Sequence, residues 1–198
     1  MEKKQYHHGD LKNDLINKGL QLLNKDGYDG FSLRKVAALC EVSHAAPYKH
    51  FKNKDELIAA ISQTVVNNFK NTLYDITTEF PNDPKKQIIE MGKEYVRFMV
   101  DNPDHLKFLF MSDFSLPVEL DKESFNHKED CPFNVFEKSA IQYLESINSD
   151  SKDHAINVLT MWGMVHGLAV LLVNNSIKFE GNCSDLVEKI LSEKLKFQ

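Results

Sequence analysis

Apolar residues recur at a period near 3.6 along most of this chain, and short polar breaks separate one helical stripe from the next. Leu11, Leu15, Ile16, Gly19, Leu22 and Leu23 form the first stripe, which opens after the N-cap candidate Asp10 and ends at Asp26-Gly27. Ser32 is suited to cap a second helix carrying Leu33, Val36, Ala37 and Cys40. That helix stops near Glu41, and Ser43 can cap a short third one running through His44, Ala45, Ala46, Pro47, Tyr48, Lys49 and His50. Pro47 then falls at the fourth helical residue, where its missing N–H removes only the first intrahelical bond. Two short helices around a turn, with small Ala37 at their approach, predict a helix-turn-helix. Tyr28, Phe31 and Phe51 are expected to complete its small core.

Asn53 is the next N-cap, with Asp55 and Glu56 in the first turn, where acids favour the helix dipole. From Leu57 the helical period holds for about twenty residues, until Phe80-Pro81-Asn82-Asp83-Pro84 ends it. Ile88, Met91, Gly92, Tyr95, Val96 and Met99 mark a further helix, stopped by Asn102-Pro103, and His105 to Met111 a short apolar one. Residues 112–131, with Pro117 and acids at 113, 119, 121, 123, 129 and 130, predict a long loop. Helical spacing returns at Phe133, Phe136, Ala140, Leu144 and Ile147.

Ala155 to Val173 is apolar nearly all round and long enough to span a bilayer. Asn157, Thr160 and His166 inside it, and the lack of a second such stretch, favour a helix of a soluble protein with no membrane partner. A helix apolar on every face needs its own core on one side and another subunit on the other. Gly163 and Gly167 permit close approach there. Leu186, Val187, Ile190, Leu191 and Leu195 form a last amphipathic helix, and two copies of this pair are expected to make a four-helix homodimer interface.

The third helix carries the chemistry. His44, Ala45 and Ala46 occupy its first turn, the part of a recognition helix that meets base edges. Tyr48, Lys49, His50, Lys52 and Lys54 follow with donors suited to phosphate oxygens. A solvated basic face over a small core is the bland reading of the same residues. Against it stand the motifs Tyr6-His7-His8-Gly9-Asp10-Leu11, Ser32-Leu33-Arg34-Lys35-Val36-Ala37, Val42-Ser43, Ala45-Ala46-Pro47-Tyr48-Lys49-His50-Phe51 and Lys54-Asp55-Glu56-Leu57. In this order they resemble the N-terminal domain of the TetR family of transcriptional regulators. Trp162, His166 and Gly167 resemble the Trp-His-Gly C-terminal domain of part of that family.

The resemblance implies an all-α homodimer: a three-helix helix-turn-helix domain over residues 8–55, then a helical effector-binding and dimerisation domain over 56–198. It implies a repressor that binds a palindromic double-stranded DNA operator and is released by a small molecule. By resemblance and placement, Ser32, Tyr48, Lys49 and Lys54 contact phosphates, His44, Ala45 and Ala46 face bases, and Arg34 does either; Ser43 and His50 complete the DNA-binding set. The family usually has Gly where this chain has Glu41, so the turn is expected to be adjusted or strained by about 1 kcal/mol.

Composition sharpens this picture. The 198 residues carry a net charge of −5, yet residues 1–60 hold ten Lys and Arg against eight Asp and Glu, and the remainder fourteen against twenty-one. A cationic head on an acidic body suits a DNA reader with a separate sensor. Three widely spaced Cys favour free thiols in a reducing cytoplasm, and the polar, charged start reads as no secretory signal. The chain shows no phosphate loop, nucleophile motif or His-Glu metal motif, which argues against an enzyme or a resident cofactor. A metal-responsive regulator is the rival reading, with His105, His127, Cys131, His154 and His166 as ligand types and His127-x3-Cys131 as a possible pair; a fold used only for protein contacts is a third. Aromatic and Met-rich composition in the body suits a hydrophobic effector, with Tyr95, Phe98, Met99, Phe110, Phe136, Trp162 and His166 as the candidate lining.

Overall fold

The computed structural model describes residues 11–115, 117–121 and 124–195, and the chain is all-α apart from one small hairpin among them. It forms two compact units, one reaching Val65 and including Lys107–Ser115, the other comprising Val66–Leu106 and the chain from Leu116 onward.

In the first unit, α1 (Leu11–Gly30) buries Leu11, Leu15, Ile16, Gly19, Leu20, Leu22 and Leu23 along one face. Gly27 interrupts it with φ 67° and ψ −175°, a conformation open to glycine because it lacks Cβ. α2 (Leu33–Leu39) is capped by the Ser32 hydroxyl, which accepts from the Lys35 N–H at 3.3 Å. α2 ends through Cys40 into Glu41 at φ 56°. The Val42 N–H donates to the Ala37 carbonyl and the Glu41 N–H to that of Ala38, so the last carbonyls are satisfied by a Schellman-type turn that glycine would enter more easily. The expected left-handed strain at Glu41 is therefore present.

The third helix departs from expectation. Residues 44–45 form a turn, and only Pro47–Lys49 is helical, as a short 3₁₀ element with Ala46 as its N-cap. The reason is Pro47 itself: without an N–H it cannot donate to Ser43, so that turn closes through the Ala46 N–H onto the Ser43 carbonyl. Ser43 makes its bond through this carbonyl. α3 (Lys54–Glu79) starts as read, with Asn53 Oδ1 accepting from the Glu56 N–H at 2.9 Å and the Glu56 carboxylate accepting from the Lys52 N–H at 2.6 Å. Gly19 lets α1 close on α3: a Cβ there would lie 2.8 Å from Ile61 Cδ1. The segment 107–115 adds Phe108, stacked on Phe114 at 5.8 Å, and Lys107 donates to the Asn24 carbonyl.

The second unit is organised on α4 (Pro84–Asp101), which follows the rest of α3 and packs against α6 (Pro132–Ser146), α7 (His154–Val173) and α8 (Cys183–Lys194). Asp83 caps α4 by accepting from the Lys86 N–H, with Pro84 in the first turn where no N–H is missed. Gly92 marks the tightest approach, since a Cβ there would run into Leu191 Cδ1 and stand 3.2 Å from Val165 Cγ1. α5 (Pro103–Met111) begins in this unit. Where a plain loop was expected, β1 (Glu119–Leu120) pairs antiparallel with β2 (Phe125–Asn126), Glu119 opposite Asn126 and Leu120 opposite Phe125.

α7 buries Ala155, Val158, Met161, Val165 and Ala169 on one face only. Its other face leaves Ile156 57% exposed and Leu171 40%, with open space beside Gly163 and Gly167. This stretch, residues 151–173, is long and apolar enough to cross a membrane, with a mean hydropathy of 1.8 over its most apolar 18 residues.

Candidate nucleic-acid interface and effector cluster

The helix-turn-helix segment presents a polar surface fixed by buried anchors. Val36, Ala37, Pro47 and Phe51 are buried and hold the two short elements together. Outward from them, Arg34, Ser43, His44, Ala45, Tyr48 and Lys49 are exposed, Tyr48 at 54%. Ala46 and His50 are half-buried, so Ala45, not Ala46, is the more open small residue of the turn. Ser32 is half-buried, and its oxygen is occupied as an acceptor in the α2 cap while its O–H remains able to donate.

Lys54 is held inward. Its ammonium donates to the Tyr28 carbonyl at 3.2 Å and lies 3.7 Å from the centre of the Tyr28 ring, while the Tyr28 hydroxyl donates to Asp55 at 2.7 Å. Asp55 and burial together raise the Tyr28 hydroxyl above its ordinary pKa, the hydrogen bond being the larger cause. Lys54 thus serves the packing of α3 on the end of α1, with donors to spare, and Lys49 is the freer cation. Leu39, 47% exposed on the same segment as Arg34, did not stand out in the sequence because its spacing continues the apolar stripe of α2. The N-terminal arm, with Lys3, Lys4, His7, His8 and Asp10, lies outside the described residues.

In the second unit a chain of aromatic rings crosses between helices. Phe98 packs on Phe69 at 5.2 Å, Phe69 meets Tyr95 edge-on at 5.2 Å, and Tyr95 lies 6.2 Å from His166. His166 in turn lies 6.2 Å from Trp162, which meets Phe133 at 5.0 Å, and Phe133 touches Phe136 at 6.0 Å. Five of the candidate effector residues therefore share one cluster. Phe69 and Phe133 join them at its centre, a pair that periodicity could not separate from ordinary core. Met99 is fully buried on α4, and Phe110 belongs to the first unit, apart from this cluster.

Polar groups run through the rings. The Tyr95 hydroxyl is 2.8 Å from His166 Nδ1, and burial pushes it far above its ordinary pKa, with a hydrogen bond from Trp162 opposing. Burial also lowers His166, so its neutral form is favoured, with Nδ1 accepting from Tyr95 and the ring proton on Nε2. A separate cleft of about 490 Å³, lined by Thr72, Asp75, Glu79, Lys86, Glu90, Glu94 and Arg97 among others, is polar and contains none of the candidate effector residues.

Of the metal-ligand types, His127 and Cys131 do approach, at 3.6 Å between Nδ1 and Sγ. The opposite ring nitrogen of His127 faces Glu137 at 2.7 Å, so the three groups lie around the imidazole and not around a common point. Among the described residues no three such groups could hold a metal ion together.

A family model of bacterial regulatory proteins, tetR family, matches residues 15–61, and one for the tetracyclin repressor-like C-terminal domain matches residues 88–193. The uncharacterized HTH-type transcriptional regulator YerO of Bacillus subtilis is 22% identical over 170 residues, 83% of this chain and 56% of that protein. The chain thus spans little more than half of that relative's length. The biofilm operon negative transcriptional regulator IcaR of Staphylococcus epidermidis is 20% identical over 77% of this chain and 80% of its own. A putative fatty acid metabolism regulator from Clostridium perfringens has the same fold at 12% identity, with a TM-score of 0.69 over 93% of this chain and 100% of that one.

Proposed function

The chain belongs to the TetR family of bacterial transcriptional regulators, and from that premise we propose that it is a cytoplasmic repressor that binds a palindromic operator as a homodimer and is released by a hydrophobic effector. The observation that carries the reading is the exposed set Arg34, His44, Ala45, Tyr48 and Lys49, held on one short segment by buried Val36, Ala37, Pro47 and Phe51. Residues 8–55 act as the reader and 56–198 as sensor and dimerisation domain. Ala45, His44 and the partly covered Ala46 face bases. Ser32, Tyr48, Lys49 and one donor of Lys54 hold phosphates, Arg34 reaches either, and Ser43 and His50 flank them. Repression accords with the likeness to a negative regulator.

The dimer rests on α7. Its exposed Ile156, Leu159 and Leu171, and the space beside Gly163 and Gly167, offer an apolar face that a second copy would cover. The effector site is the ring cluster of Tyr95, Phe98, Phe136, Trp162 and His166. The likeness of Trp162, His166 and Gly167 to the Trp-His-Gly branch of the family supports an effector site in this body. An aromatic or hydrophobic ligand suits it, stacking on the rings.

Two variants test the reader against an operator selected from random duplexes. Lys49→Ala should weaken specific and non-specific binding alike and lower the log-log salt slope by roughly 1 for each phosphate left without its cation. Ala45→Leu should cost specific binding about 1–3 kcal/mol with little non-specific change. If both variants fold, dimerise and bind like the parent, this surface is not the reader.

A further inference from the structure

His127, Glu137 and Cys131 form a constellation that neither DNA reading nor effector binding uses. Cys131 stands at the N-terminus of α6 in extended backbone, and its side chain makes no capping bond. Its sulfur lies 3.6 Å from His127 Nδ1, which is also 3.0 Å from the Lys128 carbonyl, while His127 Nε2 is 2.7 Å from Glu137 Oε2. A carbonyl and a carboxylate only accept, so both ring nitrogens need a proton and the imidazolium satisfies the site best. Burial opposes that charge, but the Lys128 carbonyl and Glu137 outweigh it, against the nearby Lys138, and His127 titrates above its ordinary value. The imidazolium thus lies beside the sulfur, at the N-terminus of a 15-residue helix.

We propose that Cys131 is a nucleophilic thiol, paired with the His127–Glu137 dyad, and that small hydroperoxides oxidise it to the sulfenic acid. The thiolate attacks the terminal oxygen of the hydroperoxide. An S–O bond forms as the O–O bond breaks, so sulfur loses two electrons and the peroxide gains them. The departing oxygen takes the proton of His127 and leaves as water or an alcohol, and the transferred oxygen keeps its own hydrogen. Cys131 is buried, at 4% exposure, which leaves it closed to bulky reagents. Cys40 is buried to the same degree and its burial raises its thiol pKa, while Cys183 is more exposed and has no such dyad.

The test uses the full-length protein treated with dilute hydrogen peroxide, trapped with dimedone and read by peptide mass spectrometry. Cys131 should be trapped at least about tenfold faster than Cys183, whereas a bulky polymer-linked maleimide should label Cys183 first. His127→Gln should slow oxidation of Cys131 by about tenfold or more, because it removes the group that protonates the departing oxygen. Glu137→Gln should slow it in the same direction, and carries the test if the His127 variant does not fold. Faster trapping at Cys183, or a Cys131 rate that both folded variants leave unchanged, overturns the proposal.

Discussion

The reader and the body hold their polar groups in place by opposite means. In the first unit the caps of the helix-turn-helix and of α3 are short in sequence: Ser32 to Lys35, Asn53 to Glu56, and Glu56 back to Lys52, although Tyr28 to Asp55 and Lys107 to Asn24 reach further. In the second, Tyr95 meets His166 across 71 residues, and Tyr143 donates to the Leu195 carbonyl across 52. A surface built from local caps depends on few residues outside its own segment. A cluster built from side chains on different helices shifts when any of those helices does, as the proposed sensor role requires.

The largest effects should come from the two cores. Leu15 and Leu144 are both fully buried, one in each unit. Leu144→Ala should cost about 2–5 kcal/mol and move the urea transition seen by Trp162, the chain's single tryptophan, to lower denaturant. Leu15→Ala should cost a similar amount and abolish DNA binding where the reader unfolds. Equal movement of the Trp162 signal in both variants would mean that the units melt as one, and that local caps do not make the reader independent.

This contrast explains what could be read from the chain alone. The caps Ser32 and Asn53 and the breaks at Gly27, Pro84 and Pro103 act within a few residues, so spacing exposed them and with them the all-α class, while the capping role of Asp83 appeared only in the structure. The left-handed turn at Glu41 was legible for the same reason. Cap and composition overstate the third helix, because the missing Pro47 N–H, read as the loss of a single bond, leaves only a 3₁₀ turn. The pairing of β1 with β2 depends on a two-residue register too short to pattern. The return of 107–115 to the first unit, and the choice of Phe69 and Phe133 from among thirteen phenylalanines, depend on packing that no period encodes.

A smaller effect should come from Glu41. At φ 56° a side chain costs on the order of 1 kcal/mol relative to glycine. Its turn bonds are made by the backbone N–H groups of Glu41 and Val42, which glycine retains at position 41. Glu41→Gly should therefore raise the stability of the reader by about 1 kcal/mol or slightly less, since glycine also gains freedom in the unfolded chain. Chemical denaturation followed by far-UV circular dichroism would show it. Destabilisation instead would mean that the Glu41 side chain makes an interaction worth more than the strain.

The smallest effect is a shallow dependence on pH confined to the body. Burial lowers His105, with Asp104 partly opposing, and burial lowers His166. A histidine whose folded pKa is depressed binds its proton more readily when unfolded, so its neutral form favours the fold. That contribution is complete above the unfolded value, about 6.5, and is lost as pH falls through the depressed values. His127 has the reverse sign: its raised pKa stabilises the body below the unfolded value, and the gain disappears as pH rises through the folded one. Two half-buried neutral histidines against one stabilised imidazolium predict a net loss of stability from neutral pH toward pH 5, read by Trp162 fluorescence on heating. His166→Asn should flatten that acid slope and Glu137→Gln should steepen it. Were both variants to change the slope in the same direction, the opposed signs assigned to His166 and His127 would be wrong.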